Sequence, residues 1–150
     1  MSHIKTIAFA SDHAGYQLKT HLMNFLSGGT YELLDLGTDD STTSVDYPDY
    51  GFKMANAVAD GAADCGILIC GTGIGISMAA NKHPDIRAAL CHDITTARLC
   101  REHNDANVLV MGERIIGTVT AEDCVTAFLN TEFAGDRHAR RVEKLSQLNA

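Results

Sequence analysis

In LICGTGIGIS, residues 68–77, a cysteine closes an apolar run and Gly71, Gly73 and Gly75 follow it closely. Backbone without side chains that leads into a helix can turn several N–H groups toward one anionic oxygen, of a phosphate or of an enediolate formed during reaction. Two better-known glycine loops are excluded by spacing. The dinucleotide pattern G-x-G-x-x-G would need a glycine at Ile76 or Met78, and no G-x-x-x-x-G-K-[ST] run occurs. Cys70 stands at the mouth of the nest, where helix dipole and N–H groups favour thiolate over thiol, so the sulfur could act as a base. By position alone, Cys70 could equally be one more buried apolar residue.

A second concentration of chemistry lies in GDRHARRVEK, which holds Arg137, Arg140 and Arg141 in a chain with 12 Lys and Arg. On a helix Arg137 and Arg141 fall one turn apart on one face, the geometry of a clamp for a phosphate dianion. The same charges would also suit a solvated face, and Arg140 lies off the line and takes no role. Among seven histidines, His13 follows Asp12 in SDHAG, and His103 precedes Asn104 in REHNDAN. An imidazole beside an acid can bind a sugar hydroxyl or complete a phosphate site. His3, His21, His83, His92 and His138 lack such neighbours and read as surface or partly packed residues.

These side chains need a scaffold, and short apolar runs alternating with helical periods point to β-α units around a parallel sheet. Strands are expected at 6–11, 31–36, 65–70, 87–91 and 107–112. Helices are expected through Leu18, Leu22, Phe25 and Leu26, from Asp46 with Pro48 in the first turn, after Gly75, after Asp93, to about Asn130 with a Thr120–Asp123 capping box, and over about 136–148. The result is a three-layer α/β/α, Rossmann-like single domain spanning 1–150 with a five-stranded parallel sheet. The polar stretch 37–46 reads as a mobile loop at a pocket rim. Ligands of such sheets sit beyond the carboxyl ends of strands, where Asp12, His13, Cys70, Thr72 and Arg114 would converge. His103 ends a helix that runs back from that edge, so it belongs to the opposite one. If catalytic, it serves a second subunit, and the active unit is a dimer.

The formal charge of −7 argues against broad contact with nucleic acid or an anionic membrane. Five cysteines without a C-x-x-C pair fit reduced thiols in a cytoplasm better than disulfides or zinc, and Cys65, Cys91, Cys100 and Cys124 read as core. The stretch MSHIKTIAFASDHAG lacks a long apolar core and no run reaches 18 apolar residues, so neither a signal peptide nor a membrane span is expected. A non-catalytic phosphate- or nucleotide-binding module on the same sheet is the alternative of a different class. A flavodoxin-like electron carrier is weakened by the absence of tryptophan.

Taken together, IAFASDHAG, GILICGTGIGISMAANK, IRAALC, REHNDANVLVMGERIIG and GDRHARRVE resemble the sugar-phosphate isomerase family of ribose-5-phosphate isomerase B, which includes allose- and galactose-6-phosphate isomerases. The resemblance covers nearly the whole chain. It implies interconversion of ribose 5-phosphate and ribulose 5-phosphate in the pentose phosphate pathway, through a cis-enediolate and without metal or redox cofactor. Under it, Cys70 is the base and Thr72 a hydroxyl beside it. The segment Gly71, Thr72, Gly73, Ile74 and Gly75 holds the enediolate. Some relatives carry a glutamate at the position of Ile76 instead of the cysteine, and an isoleucine there implies the thiolate version. His103 with Asp12 opens the furanose ring, Asn104 contacts a hydroxyl, and His13, Arg114, Arg137 and Arg141 hold the phosphate. The resemblance further implies a cytoplasmic homodimer with two shared sites, leaving open a tetramer and the choice between five- and six-carbon substrates.

Overall fold

The computed structural model describes residues 3–148. Five strands, β1 (Thr6–Ser11), β2 (Glu32–Asp35), β3 (Cys65–Cys70), β4 (Ala88–Leu90) and β5 (Val108–Gly112), pair in parallel in the order β2-β1-β3-β5-β4. Runs such as CGILIC, apolar at consecutive positions, suit strands buried on both faces, and alternate residues feed two cores. Ile7, Phe9, Ile67, Ile69 and Leu109 meet Leu18 and Leu22 of α1 (Tyr16–Leu26), Ala97 and Cys100 of α4 (Ile94–Asn104), and Cys124 and Phe128 of α5 (Thr118–Asn130). On the other face Ala8, Ala10, Leu68 and Val110 meet Met54 and Ala55 of α2 (Tyr47–Ala59) and Ile76 and Ala80 of α3 (Ile74–Ala80). The expected three-layer α/β/α arrangement is therefore present. Helix α6 (Arg137–Gln147) packs against α4.

The strand order brings β1, β3 and β5 side by side, because β5 inserts between β3 and β4. Their carboxyl ends lead directly into Asp12–His13, Cys70–Thr72 and Glu113–Arg114. Helix starts follow local chemistry. The Asp93 carboxylate caps α4 by accepting the Thr96 N–H at 2.7 Å, whereas Asp46 and Asp136 stand at N-cap positions without a side-chain capping bond. The expected Thr120–Asp123 capping box is not formed: α5 begins earlier, behind Gly117, so Thr120 already lies inside the helix. Likewise α3 begins at Ile74 rather than after Gly75. The stretch expected to be mobile is tied down by hydrogen bonds. Asp40 accepts the N–H groups of Thr42 and Thr43, which hold its carboxyl below the usual range, Thr43 first. The buried Lys19 ammonium donates to Thr38 O and to Asp35, each at 2.7 Å.

Candidate active site

At the carboxyl edge lies a cavity of about 480 Å³ lined by Asp12, His13, Tyr47, Cys70, Gly71, Thr72, Ile74, Gly75 and Arg114. Strand β3 delivers Cys70 to its wall with 5% of the residue exposed. There the backbone turns through Gly73, at φ +80°, and the Gly73 N–H donates to Cys70 Sγ at 3.1 Å. A side chain at Gly73 would be strained by that φ, and its Cβ would stand 2.5 Å from Leu90 Cδ1. The next amide, Ile74 N–H, donates to Thr72 Oγ1 at 3.2 Å. Two N–H groups of the nest thus serve the sulfur and the threonine, a detail that spacing could not assign.

Around this loop the partners are fixed by neighbouring strands. Asp12 N–H donates to Ile69 O, joining the ends of β1 and β3, and its carboxylate accepts the Gly15 N–H at 3.1 Å. His13 Nδ1 accepts the Val45 N–H at 3.1 Å, so Nδ1 carries no proton and Nε2 is the donor of the neutral ring. The Arg114 guanidinium lies over Gly71, close enough that a Cβ there would meet it at 3.4 Å. Tyr47, which the sequence reading did not single out, packs over Gly75 in the same way. The other cysteines differ in kind. Burial pushes Cys65 up to about 12 and Cys124 up to about 11, and a hydrogen bond with Cys91 raises Cys100 while lowering Cys91. All four are buried free thiols of the core.

A second cavity, of about 300 Å³, holds His103, Asn104, His138, Arg141, Val142 and Leu145. It lies at the other end of the sheet: Asn104 precedes the first residue of β5 by four positions, whereas Arg114 follows its last. The five residues of β5 separate the two by about 13 Å of strand. Helix α4 ends at Asp105 in the left-handed region, φ 46°, a conformation that Asp tolerates better than most residues. Arg87 Nε donates to Asp105 O, and the wholly buried Arg101 donates to the Asp105 carboxylate and to Ala106 O. Ala134 N–H reaches back to Glu102 O, which lays α6 against this turn. His138 then stacks on His103, with centroids 4.4 Å apart and planes 11° from parallel. Burial, then His103, Arg137 and Arg141, hold His138 below the usual histidine range. Sequence reading discounted His138; its one signal was lying between the two arginines.

Eight predicted site residues, Asp12, His13, Cys70, Gly71, Thr72, Ile74, Gly75 and Arg114, therefore meet in one cavity. Gly73 joins them through its bond to the sulfur. His103, Asn104 and Arg141 gather in the other cavity, and Arg137 lies near enough to His138 to affect its charge. Within one chain the two groups are not joined.

The profile of the ribose/galactose isomerases matches residues 7–145. The chain belongs to the ribose/galactose isomerase family. It is 46% identical over 145 residues to ribose-5-phosphate isomerase B of Escherichia coli, with 97% of each chain covered. The solved ribose-5-phosphate isomerase B of Clostridium thermocellum superposes with a TM-score of 0.94 at 52% identity, covering 96% of this chain and 97% of that one. A D-erythrulose-4-phosphate isomerase of Pectobacterium atrosepticum is 39% identical over 140 residues, with 93% and 92% covered. The chain is thus a sugar-phosphate isomerase of the aldose-ketose class. Among the described residues no helix is long and apolar enough to cross a membrane.

Proposed function

We propose that this enzyme interconverts ribose 5-phosphate and ribulose 5-phosphate, with Cys70 as the base and with each active site shared between two copies of the chain. The observation that carries the reading is Cys70 Sγ on the cavity wall, accepting the Gly73 N–H at 3.1 Å. That bond fixes the sulfur on the wall beside the glycine loop. The thiolate removes the proton from C2 of the open aldose, leaving a cis-enediolate with the charge on O1. The O2 hydroxyl proton passes to O1, and the thiol returns the carbon-bound proton to C1, so that C2 becomes the ketone and the thiolate is regenerated. Backbone N–H groups of the Gly71–Gly75 segment other than those of Gly73 and Ile74, which serve the sulfur and Thr72, hold the developing oxyanion, each such donor contributing about 2.7–4 kcal/mol.

The remaining roles need a second copy. Ring opening is assigned to His103, stacked on His138, with Asp12 facing it from the other subunit. Asn104 binds a sugar hydroxyl. His13 and Arg114 on one side and the partner's Arg137 and Arg141 on the other take the phosphate, whose anchoring orients C1 and C2 against the sulfur. Two features support a dimer: the half-sites lie at opposite sheet edges, and Ile74, Met78, Leu90 and Ile94 stand exposed on α3, β4 and α4. Apolar surface of that kind suits burial against a second copy. Free thiols at all five cysteines accord with a cytoplasmic enzyme.

The test is incubation with ribose 5-phosphate while ketose formation is followed. Turnover by the wild type that disappears in Cys70→Ala is the expected result; a Cys70→Ala variant as active as the wild type refutes the thiolate base. Relatives named for four- and five-carbon substrates make chain length the open variable. Rates on ribose 5-phosphate and allose 6-phosphate decide it, and the larger kcat/KM is expected for the pentose.

A further inference from the structure

At the carboxyl edge β4 leaves the sheet before β5 does. Cys91 N–H still donates to Val110 O at 3.0 Å, but the chain then departs toward α4, whose N-cap is Asp93. The next β5 amide facing that side, Gly112 N–H, has lost the strand carbonyl it would have met. A buried N–H left unpaired is costly. The His92 side chain takes its place: Nε2 accepts the Gly112 N–H at 2.9 Å. Nε2 therefore carries no proton, and the neutral ring holds it on Nδ1. Burial acts in the same sense, holding His92 below the usual histidine range against the opposing pull of Asp93.

What makes this bond more than a local repair is the position of Gly112. It is the register partner of Cys70 across β3 and β5. It also presses so closely on the loop that a Cβ would stand 2.4 Å from the carbonyl carbon of Thr72. The two residues after it then grip the same segment: Glu113 N–H donates to Cys70 O at 2.9 Å, and Arg114 N–H to Gly71 O at 3.0 Å. One line of contacts runs from the imidazole through Gly112 to Cys70, Gly71 and Thr72.

We infer that His92 is a positioning residue for the isomerase reaction: by accepting the Gly112 N–H it sets the end of β5 against the glycine loop and so holds the loop amides in place around the Cys70 sulfur. The inference rests on the reading of Cys70 as the base, but His92 is not among the residues that line the cavity, and its hydrogen bond is to the Gly112 backbone. Its effect is exerted through backbone.

The experiment compares His92→Leu, which removes the acceptor, with His92→Gln, whose side-chain oxygen can stand near the position of Nε2. Iodoacetamide is the probe. The rate at which Cys70 is alkylated at neutral pH is read by peptide-resolved mass spectrometry, without any sugar present. In His92→Leu that rate is expected to fall by about tenfold, and kcat on ribose 5-phosphate by about tenfold to a hundredfold with KM changed less than about twofold. His92→Gln is expected to restore most of both. If His92→Leu does not fold, His92→Asn, too short to reach Gly112, takes its place against His92→Gln. Cys70 alkylation equal to wild type in the Leu or Asn variant overturns the inference, as does a variant that loses only thermal stability while kcat is kept. Because alkylation is measured without substrate, it separates a failure of this inference from an error about ribose 5-phosphate.

Discussion

At the carboxyl edge the Cys70 sulfur, the Cys70 carbonyl and the Thr72 hydroxyl are each hydrogen-bonded within the loop or to the end of β5, and Cys70 is 5% exposed. At the opposite edge Arg137 and Arg141 stand exposed on α6, a helix set against α4 through the connector that Ala134 ties down. The first region is packed to ångström tolerance by strands on both sides; the second presents charge from a surface helix. That difference suits the division of labour proposed here. A proton shuttle depends on preorganised donors at fixed distance, whereas a dianion can be gathered by long cationic side chains that a partner subunit then orders.

The sharpest way to break this comparison is to separate the two regions onto different subunits. Cys70→Ala and His103→Ala are each expected to lower turnover of cyclic ribose 5-phosphate by about a hundredfold or more. Mixing the two after subunit exchange should recover about a quarter of wild-type activity, because half the dimers are mixed and one of their two sites is intact. No recovery, once exchange is shown by mass spectrometry, contradicts shared sites. Next in size, Arg141→Ala should raise KM by about tenfold to a hundredfold, or about 1.5–3 kcal/mol, with kcat nearly kept. A fall in kcat at constant KM would move the arginine out of the binding half.

The smallest effect is on stability. His138 takes up a proton in the unfolded chain near its ordinary value of 6.5 but only at lower pH in the fold. More protons bind to the unfolded state in that window, so stability is full above it, falls as pH drops through it and levels off below the folded value. His92 is depressed as well and adds the same sign from the other edge. Melting temperature should thus decline on mild acidification, and His138→Gln should flatten the decline. A wild-type profile without that slope would contradict the burial of charge at this stack.

Much of the carboxyl-edge half was legible because its determinants are local. CGILIC is a strand by its uniform apolarity, the glycines that follow permit the φ of +80° at Gly73, and Asp12, Cys70 and Arg114 each lie just past a strand. The Thr120 capping box shows the limit of such local signals: the motif lies inside α5, whose first turn is closed a step earlier by the Ala121 N–H on Gly117 O. Tyr47, His92 and His138 were missed for a different reason. Each acts on a residue 20 to 35 positions away, His92 on Gly112, Tyr47 on Gly75 and His138 on His103, and no local periodicity encodes such a meeting.

By itself the sequence determined the alternation of strands and helices, the glycine-rich turn after Cys70, the helix start behind Asp93 and the basic last helix, all of which follow from interactions within a few residues. The insertion of β5 between β3 and β4 was decided by tertiary structure, and with it which three strand ends share a cavity. So were the stacking of His138 on His103 and the imidazole that completes β5, since a hydrogen bond or ring contact between distant residues exists only once the sheet order and helix packing have brought them together.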